Sequence, residues 1–157
     1  MQKIMTCLFF DGKAEEAVQH YATVFKGLKI TSTSRYGDNG PLPKGTVMVM
    51  DFDIAGQTFM AMNGPPMFQF TPAISLLVNC DTQAEIDDYW DKLTAGGTAL
   101  QCGWLTDKYG VSWQIVPQVI SELMSSGNPK KSQNVMQALM QMTKLDIARL
   151  KHAYEQA

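Results

Sequence analysis

The amino-acid sequence predicts an α+β fold: two copies of a strand–helix–strands module followed by a helical extension. Three observations carry this. Short apolar runs with a period of two alternate with longer stretches whose apolar residues recur every third or fourth position. The order of these runs, one strand, one helix and then further strands, occurs twice. Beyond Pro117 only the helical period remains.

The first module opens with Lys3 to Phe10, a buried-strand pattern ended by Asp11-Gly12. A helix is expected over Lys13 to Phe25, because Ala14, Ala17, Val18, Tyr21, Val24 and Phe25 form one apolar face. Gly27 supplies its left-handed stop. Leu28 to Tyr36 reads as a half-exposed strand, and Gly37 to Pro41 as a loop. Thr46 to Ile54 alternates strictly, so Met48, Met50, Phe52 and Ile54 are expected on one face and Val47, Val49, Asp51 and Asp53 on the other. After Ala55-Gly56, Gln57 to Asn63 forms another strand with Met60 and Met62 on a shared face. Gly64 to Pro72 is punctuated by proline and glycine and separates the modules.

The second module repeats the plan. Ala73 to Cys80 reads as a buried strand. A helix begins after Asp81-Thr82, where Thr82 and Glu85 have capping-box spacing. Ile86, Tyr89, Trp90 and Leu93 form its apolar face, and Gly96-Gly97 stops it. Strands are expected over Thr98 to Cys102, Trp104 to Asp107 and Val111 to Val116. Shifted by 69 positions, Ala17 falls on Ile86, Tyr21 on Trp90, Val24 on Leu93 and Gly27 on Gly96. Three helices then follow, around Val119 to Met124, Val135 to Met140 and Leu145 to Tyr154. Their apolar stripes must bury against the domain or against a partner chain.

Composition narrows the function. The chain of 157 residues fits one domain spanning 1–157, with module one at 1–64, module two at 73–117 and the extension at 118–157. A net charge of −2 without a basic stripe argues against nucleic acid, and no apolar run reaches the ~20 residues that span a bilayer. Cys7, Cys80 and Cys102 make a poor disulfide framework, so a cytoplasmic location is expected. His20 and His152 lie on helices without a second ligand at metal-site spacing. There is no glycine-rich phosphate loop, which counts against nucleotide cofactors and doubly wound methyltransferases. Asp51 and Asp53 could act as an acid–base pair or be a solvated face. Gln114, an amide in an apolar strand, must find partners in the fold or in a ligand.

The segment from Leu76 to Pro117 resembles the PhnB-like branch of the vicinal-oxygen-chelate superfamily, which includes glyoxalases, extradiol dioxygenases and bleomycin-resistance proteins. The resemblance is carried by Asn79-Cys80-Asp81, by Glu85 to Trp90, and by the continuous string Cys102 to Pro117. Phe9 to Gly12 ahead of Glu15-Glu16-Ala17 is similar to the family's opening, and Met140 to Ile147 to its ending. The resemblance implies two βαβββ modules with curved mixed sheets, concave towards a ligand, in a homodimer. It also brings a demethylubiquinone 3-methyltransferase-like label, which the missing glycine-rich loop makes a poor description of activity. Metal-dependent relatives place a glutamate where this chain has Gln114, and their other ligand positions fall near Ile4, Met60 or Met62, and Ala73, none of them a hard-metal ligand.

The expected protein is therefore a metal-independent binder of a small molecule, without cofactor, of the glyoxalase and bleomycin-resistance type. Its cavity is expected to be lined by Met48, Met50, Met60 and Met62 from the first module and by Cys102, Trp104 and Gln114 from the second. A metal-assisted lyase, isomerase or dioxygenase is the alternative, and a protein-interaction module built on the helical tail is the third.

Overall fold

The computed structural model describes residues 2–156 and divides into two compact units, Met1–Gln69 and Phe70–Ala157. The first contains β1 (Thr6–Asp11), α1 (Ala14–Val24), β2 (Lys29–Arg35), β3 (Val47–Ile54) and β4 (Gln57–Gly64). These strands form one mixed sheet in the order β1-β4-β3-β2, with β1 parallel to β4 and the other pairs antiparallel. The second unit contains β5 (Leu76–Cys80), α2 (Gln83–Thr94), β6 (Thr98–Ala99), β7 (Trp104–Thr106) and β8 (Ser112–Pro117), in the order β5-β8-β7-β6. The same order and the same single parallel pair recur, so the structure has the repeat that the helix pattern implied. The architecture is α+β, two modules with a helical extension, and neither sheet closes into a barrel.

Each helix covers one face of its own sheet. Ala14, Ala17, Val18, Tyr21 and Val24 of α1 are buried against the side chains of β1, β3 and β4 that point their way. Those are Leu8 and Phe10, Met50 and Phe52, and Phe59 and Ala61. In the second unit Ile86, Trp90 and Leu93 of α2 meet Leu105, Trp113 and Ile115. Both helices stop as expected, at Gly27 with φ 87° and Gly96 with φ 75°, values that glycine adopts without the Cβ penalty.

The N-termini of the helices are secured differently. Thr82 and Glu85 form the expected capping box of α2. In α1 the residue before the helix is Lys13, whose side chain cannot accept a hydrogen bond. Its place is taken by Asn63 at the end of β4, whose Oδ1 accepts from Ala14 N at 2.8 Å while its Nδ2 donates to Val47 O at 3.0 Å. Asn63 is 1% exposed, and its carbonyl also accepts from the Tyr36 hydroxyl at 2.7 Å.

Several strand limits differ from expectation. β1 starts at Thr6, and Ile4 before it is exposed. Gln101 and Cys102, expected as the end of a strand, lie in a turn in which Cys102 and Gly103 have φ 61° and 80°. The tail forms α3 (Val119–Met124), α4 (Pro129–Met140) and α5 (Ile147–Glu155). It carries its own small core of Val135, Met142, Leu145 and Leu150, with Ile120, Leu123 and Leu139 packed on it. It is also bound to the second unit. Cys102 N and Gly103 N donate to the carbonyls of Met142 and Thr143, each at 2.8 Å. The Gln83 amide donates to Leu145 O at 3.1 Å and accepts from Ile147 N at 2.9 Å. Val135 and Leu139 of the tail's apolar stripes thus pack within the chain's own second unit, while Met136 and Met140 stay exposed.

Candidate functional site

In both modules the sheet face turned away from its helix is the one left for other work. Cross-strand partners share a face, so the ladder registers show what stands on it. In the first module Met60 pairs with Asp51 and Cys7, and Met62 with Val49 and Phe9. Met60, Met62, Val49, Asp51 and Phe9 are all half-buried. Phe9 makes an edge-on contact with Phe68, ring centroids 5.2 Å apart.

The four expected methionines do not share this face. Met50 pairs with Ala61, points at α1 and is 3% exposed, so it belongs to the core. Met48 is displaced by a register shift: Ser34 pairs with Val49 and Arg35 with Val47, and the ladder skips Met48. A bulge of that kind breaks the strict alternation on which the expected phase of β3 rests. Val47 therefore turns inward at 1% exposed, while Met48 is 36% exposed. Only Met60 and Met62 remain together on the open face.

The carboxylates of this face are Asp51 and Asp53. Asp51 Oδ2 accepts from Ser32 Oγ at 2.9 Å. The Oδ1 atoms of Asp51 and Asp53 are shielded from water and have no hydrogen-bond donor among the described residues. At the rim, partial desolvation and then the Asp51 charge push the Cys7 thiol up, away from the thiolate that a nucleophile needs. Cys80 is pushed up to about 11 by burial, then by Glu85 and Asp81, and is inert for the same reason.

In the second module Trp104 and Gln114 pair across β7 and β8 and stand on the open face together with Leu77 of β5. Gln114 Nε2 donates to Ser75 Oγ at 2.9 Å, so the fold itself supplies one partner of this amide. The sequence does not single out Ser75, because it lies within the apolar run Ala73 to Cys80, just ahead of β5. Cys102 is not on the strand face. It sits in the turn before β7, fixed by the tail, two residues ahead of Trp104.

Beside this face, Asp107 locks the β7–β8 connection. It is 3% exposed; its Oδ1 accepts from Tyr109 N and Val111 N at 2.9 and 3.0 Å, and its Oδ2 from Trp113 Nε1 at 2.9 Å. That network explains the spacing of Asp107, Gly110 and Trp113, and it sets the register that puts Gln114 outward.

Among the described residues no three histidine, cysteine or carboxylate side chains come together, and His20 and His152 lie on α1 and α5. Gln114, which the resemblance aligns with a metal-binding glutamate, is a neutral amide hydrogen-bonded to Ser75.

Comparison with known proteins agrees with this architecture. A family model described as 3-demethylubiquinone-9 3-methyltransferase matches residues 2–116. A solved structure described as a putative 3-demethylubiquinone-9 3-methyltransferase, PhnB protein, from Bacillus cereus is 45% identical. The match covers 74% of this chain and 99% of that one, with a TM-score of 0.70. Protein PA1353 from Pseudomonas aeruginosa, 22% identical over 74% of this chain and 98% of its own, has a TM-score of 0.62. The fosfomycin resistance protein FosX from Listeria monocytogenes, complexed with Mn(II) and sulfate, is 16% identical over 73% and 92%, with a TM-score of 0.53. These last two likenesses concern the fold. No curated protein matches the chain. The family model ends before the helical tail, so the similarity expected at Met140 to Ile147 lies outside the matched stretch. Residues 2–116 and the relative from Bacillus cereus together place the chain in the 3-demethylubiquinone-9 3-methyltransferase family, the PhnB-like branch of the vicinal-oxygen-chelate superfamily.

Proposed function

We propose that the protein binds a small organic molecule on the open faces of its sheets and does so without a metal ion. The observation that carries this is the division of labour in each module: one sheet face is sealed by a helix, while the other keeps half-buried apolar side chains beside a few polar groups. Met60, Met62 and Phe9 provide the apolar surface in the first module, and Trp104 with Gln114 in the second. Mostly apolar surfaces with a few placed polar groups are what small-molecule sites present. Metal independence is supported by the chemistry of the donors described above.

The methyltransferase activity in the family's description is not part of this reading. Two four-stranded mixed sheets are not the doubly wound parallel sheet of ordinary methyltransferases, and the sequence has no glycine-rich phosphate loop. The chain acts as a homodimer in this proposal. Its support is the exposed apolar side chains Ile74 and Leu77 at β5, an edge strand of its sheet. Three free thiols and the absence, among the described residues, of a helix long and apolar enough to cross a membrane suit a cytoplasmic setting.

The test is a thermal-stability screen of untagged protein against metabolites, with and without added Mn(II) and Zn(II). A compound at a hundred times its dissociation constant raises stability by about 2.7 kcal/mol. The expected result is stabilisation by organic compounds that EDTA leaves unchanged. Stabilisation that appears only with metal would refute the metal-independent reading.

A further inference from the structure

The open faces of the two modules differ in charge. The first carries Asp51 and Asp53, with Lys29 opposite Asp53 at its edge. On the second, the positions of β5, β7 and β8 that face away from α2 include Leu77, Trp104, Thr106, Ser112 and Gln114, and none of these positions is charged. Within this neutral surface one group lacks a role in the fold. Ser112 is 2% exposed, and its Oγ has no hydrogen-bond partner among the described residues. It alternates with Gln114 along β8 and pairs with Thr106 on β7, so it points to the same face as Trp104. Its neighbours are already engaged: Gln114 with Ser75, and Asp107 with Tyr109, Val111 and Trp113. A buried hydroxyl without a partner costs the folded chain free energy that a hydrogen-bonding ligand removes.

We propose that this face receives the uncharged end of the ligand, a hydroxyl or carbonyl on a planar apolar body. Ser112 and Gln114 hydrogen-bond its oxygen, and Trp104 packs on its plane. A carboxylate or ammonium placed there would lose its water shell without meeting an opposite charge, so charged ends are rejected. This rests on the reading of the open faces as ligand-binding, and narrows it to a class of ligand.

The experiment uses the full chain at pH 7 and three probes built on the same naphthalene ring: 1-naphthol, 1-naphthoate and 1-naphthylmethylamine. Dissociation constants are measured by calorimetry for the unaltered protein, Ser112→Ala and Met60→Ala. The expected result is that 1-naphthol binds at least about tenfold more tightly than either charged probe, a difference of about 1.4 kcal/mol. Ser112→Ala should weaken 1-naphthol about tenfold while leaving the unfolding midpoint of the unliganded protein unchanged or raised. A lowered midpoint with unchanged affinity would show that Ser112 serves the fold alone and overturn the proposal. If a charged probe binds as tightly as 1-naphthol and Met60→Ala weakens it, the open-face reading stands and this one falls. If none of the three binds, both fall.

Discussion

Asn63 joins three pieces of the first module through one side chain and one carbonyl, and it shows how much a single residue can decide. It gives α1 the cap its own sequence lacks and holds β3 through Val47. Replacing it by alanine leaves a buried N–H and a buried carbonyl without partners, at about 1–3 kcal/mol. Asn63→Ala should therefore lower stability by that amount in urea unfolding, and a loss under about 0.5 kcal/mol, typical of surface changes, would show that the cap is dispensable. Nothing in the sequence around Lys13 announces it, because the two partners lie 49 residues apart. The capping box at Thr82 and Glu85 is local, and for that reason it was legible. The same contrast separates the site residues. Trp104 and Gln114 kept their expected face because β7 and β8 alternate without interruption. Met48 and Met50 did not: Met48 falls at a bulge in the β2–β3 ladder, and Met50 pairs with Ala61, a β3–β4 register that β3's own pattern does not reveal.

Among the elements, the helical tail is the one whose partner the sequence left open. It is held at both ends of a short segment, by Cys102 and Gly103 at Met142 and Thr143, and by Gln83 at Leu145 and Ile147. Gly103 is required there. A Cβ would lie 2.8 Å from Ile115 O and 2.9 Å from Leu145 Cδ1, in a backbone conformation that side chains resist. An ion pair between Lys144 and Asp87, 2.9 Å long, adds to the attachment. It lowers the Asp87 carboxyl and raises Lys144, but both partners are more than a third exposed, so water screens most of its worth. Gln83→Ala should thus cost about 1–3 kcal/mol, and Lys144→Ala less than about 1 kcal/mol, in the same unfolding assay. Equal losses would mean that charge, not the amide clamp, secures the tail. Deleting Ser132 to Ala157 removes most of the small core, and the truncated chain should aggregate, as light scattering would show. A soluble truncated chain of unchanged assembly would contradict the docking described.

At the scale of the whole molecule, the account is that each module spends one sheet face on its core and keeps the other for a ligand. The repeat behind it was readable because both helices bury equivalent positions, Ala17 with Ile86, Tyr21 with Trp90 and Val24 with Leu93. The assignment of β3 and β4 side chains to one face or the other was not, since it depends on register. β3 and β4 therefore give the sharpest test. Met50 and Met60 stand one residue apart in the ladder but on opposite faces: Met50 opposite Ala61, and Met60 opposite Asp51. The most direct measurement is the urea unfolding midpoint of Met50→Ala against that of Met60→Ala and Met62→Ala. The account predicts that Met50→Ala loses about 2–5 kcal/mol, while the other two lose less than about 1 kcal/mol and leave the fold intact for ligand binding. Losses of equal size at all three positions would contradict it, because both faces of the sheet would then be packed core.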